Sequence, residues 1–389
     1  MTTKKPSLLT RRHLFYLMLA AGGLPAFAQG NNNYPNYDLQ INHDPSKKSS
    51  VPWDAPLKDH AIVNGILYGG GSVHGILTQD ANLGNVLKTQ CNMLVPEREL
   101  KWDILRPSPD TYDFYRGDWM INYAQSNGMS VRGHTLVWYQ SNPYWFKDVV
   151  NQQNAEKFLV EHIRTVMQHY KGKIHSWDVV NEAVDPAYGR PDGLHYSPWL
   201  ELLGPGYIDL AYRVAKEVDP QTILYYNEAA LEYDTPEHEA RRNATLKFLE
   251  RLKSSGVPIQ GFGIQGHLIA HEIRFNPQKF RKFLSDVASL GLEIMITELD
   301  VSDQALPYEL AIRDRIIANV YEQFLSVVLD EPAVKAIVHW GISDRYTWLT
   351  DYRPRPDRQP VRPLPMDVNL DRKWAWDAIV RALDHAPKR

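Results

Sequence analysis

The chain has 389 residues, and its 46 acidic and 43 basic residues give a formal net charge of −3. This near balance gives no support to nucleic acid or an anionic membrane surface as a partner, because both attract strongly basic proteins. A single cysteine, Cys91, excludes an intramolecular disulfide, and no catalytic cysteine motif surrounds it, so we expect a buried structural side chain.

The first predicted element is a signal peptide over residues 1–28. Four basic residues precede an apolar stretch that starts at Leu14 and ends in the sequence AFA, a pattern typical of secretion signals. The pair Arg11-Arg12 indicates twin-arginine export as one route, and ordinary secretion is the alternative, because Leu14 and Phe15 reverse the usual order. Removal of the segment takes away four positive charges and changes the formal net charge from −3 to −7.

We therefore expect an exported protein, periplasmic or extracellular. After residue 28, no apolar run approaches the roughly 20 residues that a membrane-spanning helix needs, so we expect no membrane association once the signal is removed.

Residues 29–50, QGNNNYPNYDLQINHDPSKKSS, are too poor in apolar residues to pack a core and are predicted to form a polar flexible segment. Residues 51–389 contain no comparable linker and no tandem repeat, which predicts one large domain.

The pattern that recurs in residues 51–389 is an apolar, β-branched run that ends on a polar or aromatic residue and is followed by helical periodicity. The first run is GILYGGG at residues 65–71, and intervals of 31 to 47 residues separate the ends of the later runs. These ends are Glu97, His134, Asn181, Asn227, His267, Glu298 and Trp340. Eight such units predict an α/β fold, a (β/α)8 TIM barrel, with functional groups at the C-terminal ends of its strands. An open doubly wound sheet is disfavoured because no Gly-rich phosphate loop follows the first strand.

Two carboxylates stand at the ends of two of these runs. Glu182 follows the run SWDVVN, and Glu298 ends the run GLEIMIT, so a barrel brings both to the same rim. A pair of this kind cleaves glycosidic bonds, because one carboxylic acid protonates the leaving oxygen while a carboxylate faces the anomeric carbon. A lone glutamate at a strand end more often caps a helix or forms an ion pair, but two together favour paired acid chemistry.

Four motifs identify a family resemblance across nearly all of residues 51–389. They are GHTLVW at 133–138, WDVVNEA at 177–183, ITELDV at 296–301 and WGISDRYTWL at 340–349. In order and spacing they resemble glycoside hydrolase family 10, the endo-β-1,4-xylanases. The resemblance implies a secreted enzyme that hydrolyses internal β-1,4-xylosidic bonds of xylan with retention of configuration, through a covalent glycosyl-enzyme intermediate.

The resemblance also implies roles for individual residues. Glu182 would be the acid/base and Glu298 the nucleophile, with His267 and Asp300 supporting the nucleophile. Other matching positions would bind the sugar, and these are Glu97, Lys101, His134, Trp138, Asn181, Gln265, Trp340 and Trp348. His267 and His271 have the i, i+4 spacing of a metal pair, but this spacing does not align two ligands at a strand end, so we expect no metal and no cofactor.

Two positions depart from the family pattern. Arg98 follows Glu97 where family members carry asparagine, and Tyr139 follows Trp138 where they carry histidine. A guanidinium offers only donors and a fixed positive charge, so one hypothesis is that Arg98 binds an acidic sugar next to the one being cleaved. The alternative is that Arg98 pairs with Glu97 or Glu99 and faces away from the cleft.

The expected partner is therefore a polysaccharide, xylan or a related β-1,4-glycan, and the protein is expected to act as a monomer. One alternative is a hydrolase of the same family that acts on another or a decorated β-glycan. The alternative outside the enzymes is a catalytically impaired carbohydrate-binding protein. The presence of both glutamates argues against this last interpretation.

Overall fold

A computed structural model describes residues 50–272 and 274–389. The predicted signal peptide over residues 1–28 lies outside these residues, as does all of the predicted polar segment except Ser50, which is exposed. Within the described ranges, no helix is both long enough and apolar enough to cross a lipid bilayer.

Nine parallel strands form the sheet in the described part of the chain. They are β1 (Leu67–Ser72), β2 (Met93–Pro96), β3 (Ser130–Gly133), β4 (Ser176–Asn181), β5 (Ile223–Glu228), β6 (Gly261–Ile264), β7 (His267–Ile269), β8 (Glu293–Ser302) and β9 (Val334–His339). Strand β1 pairs with β2 and β9, and β6 pairs with β5 and β8, so eight strands close a ring that omits only β7. The predicted (β/α)8 TIM barrel is confirmed.

A long helix follows each of the eight barrel strands. These helices are Ala81–Gln90, Tyr115–Ser126, Ala155–His169, Gly206–Val218, Pro236–Ser254, Pro277–Ser289, Leu310–Val328 and Trp374–His385. The short helix Leu57–Ile62 precedes β1. Shorter helices in the connections are His74–Gln79, Trp102–Leu105, Phe146–Val149, Pro198–Leu203 and Leu349–Tyr352, with 3-10 turns at Tyr139–Ser141, Pro186–Tyr188 and Asp344–Tyr346. Local residues determine where some of these helices begin. The side chains of Thr235 and Asn276 each accept a hydrogen bond from an amide of the first turn, and a proline follows each of them.

Two of the predicted run ends differ from the strands of the structure. The sixth barrel strand ends at Ile264 and not at His267, because Gly266 takes a φ of +77° that interrupts an extended chain. His267 instead begins the short strand β7, which pairs with the end of β8. Strand β8 also continues past Glu298 to Ser302, because β7 provides pairing partners for residues 300–302.

Large apolar side chains fill the inside of the barrel. Met93, Val95, Tyr225, Met295, Ala336, Val338 and Trp340 form one buried cluster. Glycines make room for rings on neighbouring strands, since a Cβ added at Gly133 would lie 2.3 Å from the ring of Trp177. The guanidinium of Arg132 lies buried in this interior, where it pairs with Asp178. Cys91 is buried, as expected.

The first and last described helices meet where the barrel closes. Nδ1 of His60 lies 2.7 Å from Oδ1 of Asp384, which joins the helix Leu57–Ile62 to the helix Trp374–His385. The indole of Trp376 is fully buried, and its Nε1 donates to Oε1 of Gln90 at 3.0 Å. These contacts lie in the helix layer outside the sheet, and they support the pairing of β1 with β9.

Candidate active site

Glu182 stands directly after β4, in a turn that β5 holds in place. Its φ of +54° lies in the left-handed region that side chains other than glycine seldom adopt. The amide of Glu182 donates to the carbonyl of Asn227 at 3.0 Å. The next two amides, of Ala183 and Val184, donate to Oη of Tyr226 at 3.0 Å and to Oε2 of Glu228 at 3.1 Å. Three consecutive amides are thus bound by groups of β5, which fixes the direction in which Glu182 points.

The Glu182 carboxyl group is held by two neutral donors. Nε1 of Trp138 donates to Oε2 at 2.8 Å, and Nε2 of Gln265 donates to Oε1 at 2.8 Å. Each oxygen of the Glu182 carboxyl group accepts one of these hydrogen bonds and keeps one further acceptor position. Among the residues that the structure describes, no cationic group lies at hydrogen-bonding distance of this carboxyl group.

Glu298 is 6% exposed, and the surroundings of its carboxyl group differ from those of Glu182. Nδ2 of Asn227 donates to Oε1 at 2.8 Å, and Nε2 of His267 lies 3.2 Å from Oε2. The other ring nitrogen of His267, Nδ1, lies 3.1 Å from Oδ1 of Asp300. Nε1 of Trp348 donates to Oδ2 of Asp300 at 2.7 Å. A continuous line of contacts thus runs from Glu298 through His267 and Asp300 to Trp348.

The charges along this line keep Glu298 ionised. Burial favours the neutral ring of His267, but Asp300 and Glu298 outweigh it and raise the pKa of His267 to about 10. Burial alone would raise the pKa of Glu298 too. The hydrogen bond from His267 and the charges of His134, His267 and Lys101 instead lower the pKa of Glu298 to about 2. At neutral pH the pair is therefore an imidazolium beside a carboxylate.

Asn227 connects the two sides of the site, although the sequence pattern predicts only a strand end there and no functional role. Its Nδ2 donates to Oδ1 of Asn181 at 2.9 Å as well as to Glu298, and its Oδ1 accepts from Oγ1 of Thr297 at 2.7 Å. Gly263 is needed beside it, because a Cβ there would lie 2.3 Å from Oδ1 of Asn227. The signal that could have identified Asn227 is its place among the same run ends as the other site residues.

Aromatic rings and cationic groups line the same region. Nζ of Lys101 lies 4.8 Å from the ring centroid of Trp138 and 5.6 Å from that of Trp340. His134 packs edge to face on Trp340 with ring centroids 5.4 Å apart, and its Nδ1 lies 3.0 Å from Oδ2 of Asp178. Burial lowers the pKa of Lys101, although the nearby carboxylates oppose this shift.

Glu97 follows β2 and interacts electrostatically with the same groups. Burial raises the pKa of Glu97 to about 8, although the ammonium of Lys101 opposes the shift. A Cβ at Gly71 would lie 2.6 Å from Oε1 of Glu97, so a larger residue there would displace this carboxyl group. With Glu97, the structure brings together every residue that the sequence assigned to the site except Arg98, which lines a separate groove.

No group of three or more potential metal ligands is arranged to hold an ion within residues 50–272 and 274–389. Both ring nitrogens of His267 face carboxylates, and His271 follows β7 by two residues. The geometry around His267 is thus that of a charged ring between two acids.

Comparison with known proteins places this arrangement in a family. The model of glycosyl hydrolase family 10 matches residues 56–382. The β-1,4-xylanase of Dictyoglomus thermophilum is 35% identical over 306 residues, which are 76% of this chain and 83% of the relative. Endo-1,4-β-xylanase B of Thermotoga neapolitana is 35% identical over 271 residues, 69% of this chain and 74% of that one.

Solved structures agree with these sequence relatives. Native xylanase 10B from Thermotoga maritima superposes with a TM-score of 0.77 at 33% identity, covering 85% of this chain and 98% of that one. Xylanase 10B from Thermotoga petrophila RKU-1, solved in complex with xylobiose, gives a TM-score of 0.77 at 33% identity over 85% of this chain and 97% of that one. The chain therefore belongs to glycosyl hydrolase family 10, and it is a glycoside hydrolase.

Proposed function

We propose that the protein is an endo-1,4-β-xylanase that cleaves internal β-1,4-xylosidic bonds with retention of configuration. The observation that carries the proposal is the contrast between two carboxyl groups at one rim: Glu298 is bound by a charged imidazole, and Glu182 is bound by neutral donors. The relatives named as xylanases support the choice of substrate.

Glu298 is the proposed nucleophile. Its low pKa keeps it ionised, so it can attack the anomeric carbon and form a glycosyl-enzyme ester while the leaving oxygen departs. Nδ2 of Asn227 donates to Oδ1 of Asn181. Nδ2 of Asn181 is therefore left to donate to the 2-hydroxyl of the sugar that Glu298 attacks. Such a hydrogen bond strengthens in an oxocarbenium-like transition state.

Glu182 is the proposed acid/base. In the first step its protonated form donates its proton to the leaving oxygen, and it becomes a carboxylate. In the second step that carboxylate removes a proton from water as the water oxygen attacks the anomeric carbon and releases Glu298. Two inversions at one carbon give net retention, for which we expect the carboxyl groups about 5–5.5 Å apart.

The surrounding rings supply the proposed sugar platform. Trp138, Trp340 and Trp348 offer flat apolar faces for the C–H side of a pyranose, while Lys101 and His134 offer polar groups for hydroxyls. Gln265 donates to Glu182 and is proposed to bind a hydroxyl of the same sugar. This combination of stacking faces and a few converging polar groups is typical of carbohydrate sites.

Proton NMR of the first product formed from xylohexaose tests the mechanism. The expected result is a β-anomer that appears before mutarotation. A first-formed α-anomer would show inversion and remove the covalent step from the proposal. Product sizes from polymeric xylan test endo action, because internal cleavage releases a range of oligosaccharides early, and a panel of other β-glycans tests the choice of substrate.

Substitution of the two glutamates separates their roles. Glu182→Ala is expected to lose most activity on xylan but far less on aryl xylobiosides, whose leaving groups need no proton. Glu298→Ala is expected to lose activity on both, because no glycosyl-enzyme can form. The exposed Glu217→Ala serves as a control that leaves both activities unchanged. Equal losses by the two variants on both substrates would contradict the assignment.

Export and a monomeric state are further parts of the proposal. A polymeric substrate lies outside the cell, and the sequence of residues 1–28 has the features of a signal peptide. N-terminal sequencing of the protein from culture medium or periplasm is expected to begin near residue 29. Size-exclusion chromatography with light scattering is expected to give the mass of one chain.

A further inference from the structure

A second groove opens at the C-terminal face of the barrel, beside the site described above. It has a volume of about 580 Å³, which lies within the range of small-molecule sites. Its walls come from the segment after β1, from Arg98 and Glu99 after β2, and from Tyr115 and Arg116 at the start of a helix. Glu97, which belongs to the catalytic region, immediately precedes Arg98, so the groove adjoins the proposed glycan site.

No carboxylate in the described part of the chain pairs with the guanidinium of Arg98. Within residues 50–272 and 274–389, the Arg98 side chain forms no ion pair and no hydrogen bond. Its hydrogen bonds are those of the backbone, where the amide donates to Glu99 and the carbonyl accepts from the amide of Lys101. The candidate partner Glu99 is buried, and its two carboxylate oxygens accept from the backbone amides of His74 at 2.8 Å and Arg98 at 3.4 Å. Pairing of Arg98 with Glu97 or Glu99, the alternative raised from the sequence, is absent from the described residues.

A second unpaired guanidinium and an aromatic ring share the groove. Arg116 is exposed and forms no ion pair with any carboxylate in the described ranges. Tyr115 is 70% exposed, and its ring packs against the ring of His74 with centroids 5.8 Å apart. Two cationic forks beside an exposed aromatic face match a pyranose that carries a carboxylate, because the fork fits the carboxylate and the ring stacks on the sugar.

We propose that this groove, through Arg98 and Arg116, binds a uronic acid substituent of the glycan chain held in the neighbouring cleft. The inference rests on the proposed function and adds a preference for acid-substituted chains over neutral ones. A guanidinium carries a fixed positive charge, so the preference is electrostatic and weakens as salt screens the exposed pair.

The test compares three substrates of the same backbone: unsubstituted xylo-oligosaccharide, the glucuronic-acid-substituted oligosaccharide, and the latter after reduction of its carboxyl group to an alcohol. The reduced substrate keeps the shape of the substituent and removes only the charge. For Arg98→Asn, kcat/KM on the acid-substituted substrate is expected to fall about 10-fold or more, while kcat/KM on the other two changes little. Arg116→Gln is expected to shift the same ratio in the same direction.

Arg213→Gln is the matched control, because it removes an equal charge from an exposed arginine on the helix Gly206–Val218, where Arg213 donates to the carbonyl of Ser255. It is expected to leave all three rates unchanged. The wild-type preference for the acid is expected to shrink between 50 mM and 500 mM salt.

Equal changes on all three substrates for Arg98→Asn would overturn the uronate site and leave the proposed function intact. A wild-type protein that hydrolyses none of the three would instead overturn the proposed function. An acid preference that persists in both arginine variants would place recognition of the carboxylate elsewhere and also overturn the inference.

Discussion

His267 keeps Glu298 ionised, and it does so through one contact to Glu298 and one to Asp300. The ring lies between Glu298 and Asp300, so it carries a positive charge where burial alone would leave it neutral. In return the imidazolium stabilises the carboxylate form of Glu298.

Replacing His267 by alanine is expected to raise the pKa of Glu298, because burial remains while the hydrogen bond and the positive charge are lost. The acid limb of kcat/KM against pH should move upward by about 1–2 pH units, the scale of a hydrogen bond to a charged group. His271→Ala is the control and should leave the limb in place. An unmoved limb in His267→Ala would show that other groups hold Glu298 ionised.

Glu97 gives a second prediction at this scale, on stability. The pKa of Glu97 is about 8 in the folded protein, against an ordinary value of 4.5, so the folded state holds its proton more tightly. This group therefore makes the protein less stable as pH rises from about 4.5 to about 8. The melting temperature of Glu97→Gln relative to wild type should increase between pH 5 and pH 8. Glu250→Gln, an exposed control, should show no such trend, and a parallel trend in both variants would contradict this role of Glu97.

At the scale of elements, β5 is the support on which the turn after β4 rests. Tyr226 and Asn227 on that strand bind the amide of Ala183 and the side chain of Asn181, respectively. The sequence predicted that strands would end at the site, since each apolar run stops at a polar or aromatic residue. It did not predict that β5 holds the turn after β4 in place, because such contacts join residues more than 40 positions apart in the sequence.

Tyr226→Phe is expected to lower kcat with little change in KM, because the amide of Ala183 loses its acceptor and Glu182 shifts. A loss of roughly 10- to 100-fold fits a displacement near 1 Å. The matched control is Tyr212→Phe, whose buried hydroxyl donates to the carbonyl of Tyr225 at 2.9 Å. Both variants should lose about 1–3 kcal/mol of stability, but only the first should lose kcat. Equal kcat in the two variants would contradict a positioning role for Tyr226.

Two features of the elements illustrate what the sequence leaves open. The break at Gly266 and the extension of β8 to Ser302 arise from the pairing of β7 with β8, which no local pattern encodes. Arg98 is the opposite case, because the sequence identified it as a departure but left two orientations open. The structure distinguishes the two orientations, because the backbone amides of His74 and Arg98 already donate to the carboxylate of Glu99.

For the whole molecule, closure of the barrel depends on the contact between its first and last units. The eight-strand ring followed from the number and spacing of the apolar runs, whereas the contacts that close it join residues near opposite ends of the domain. The indole of Trp376 is the largest group at this junction, with Arg372 over its ring at 3.8 Å.

Trp376→Ala is expected to reduce the free energy of unfolding by about 3–5 kcal/mol, as for other large buried side chains. Trp374→Ala is the matched control on the same helix, because Trp374 is 47% exposed, and it should cost far less. Denaturant unfolding measures both, and kcat of the folded protein at 25 °C should not change. Similar losses for the two variants would show that the junction contributes little to stability.

The fixed amide of Asn227 has a consequence for inhibition. Both of its hydrogens are already engaged, one with Asn181 and one with Glu298, and Thr297 holds its oxygen, so the amide has no freedom to turn. A site that is rigid before sugar arrives needs little rearrangement on binding, and its dipoles are preorganised for a developing positive charge. Protonated imino sugars with a flattened ring therefore suit this protein as it stands, and crystals grown without ligand should accept them by soaking.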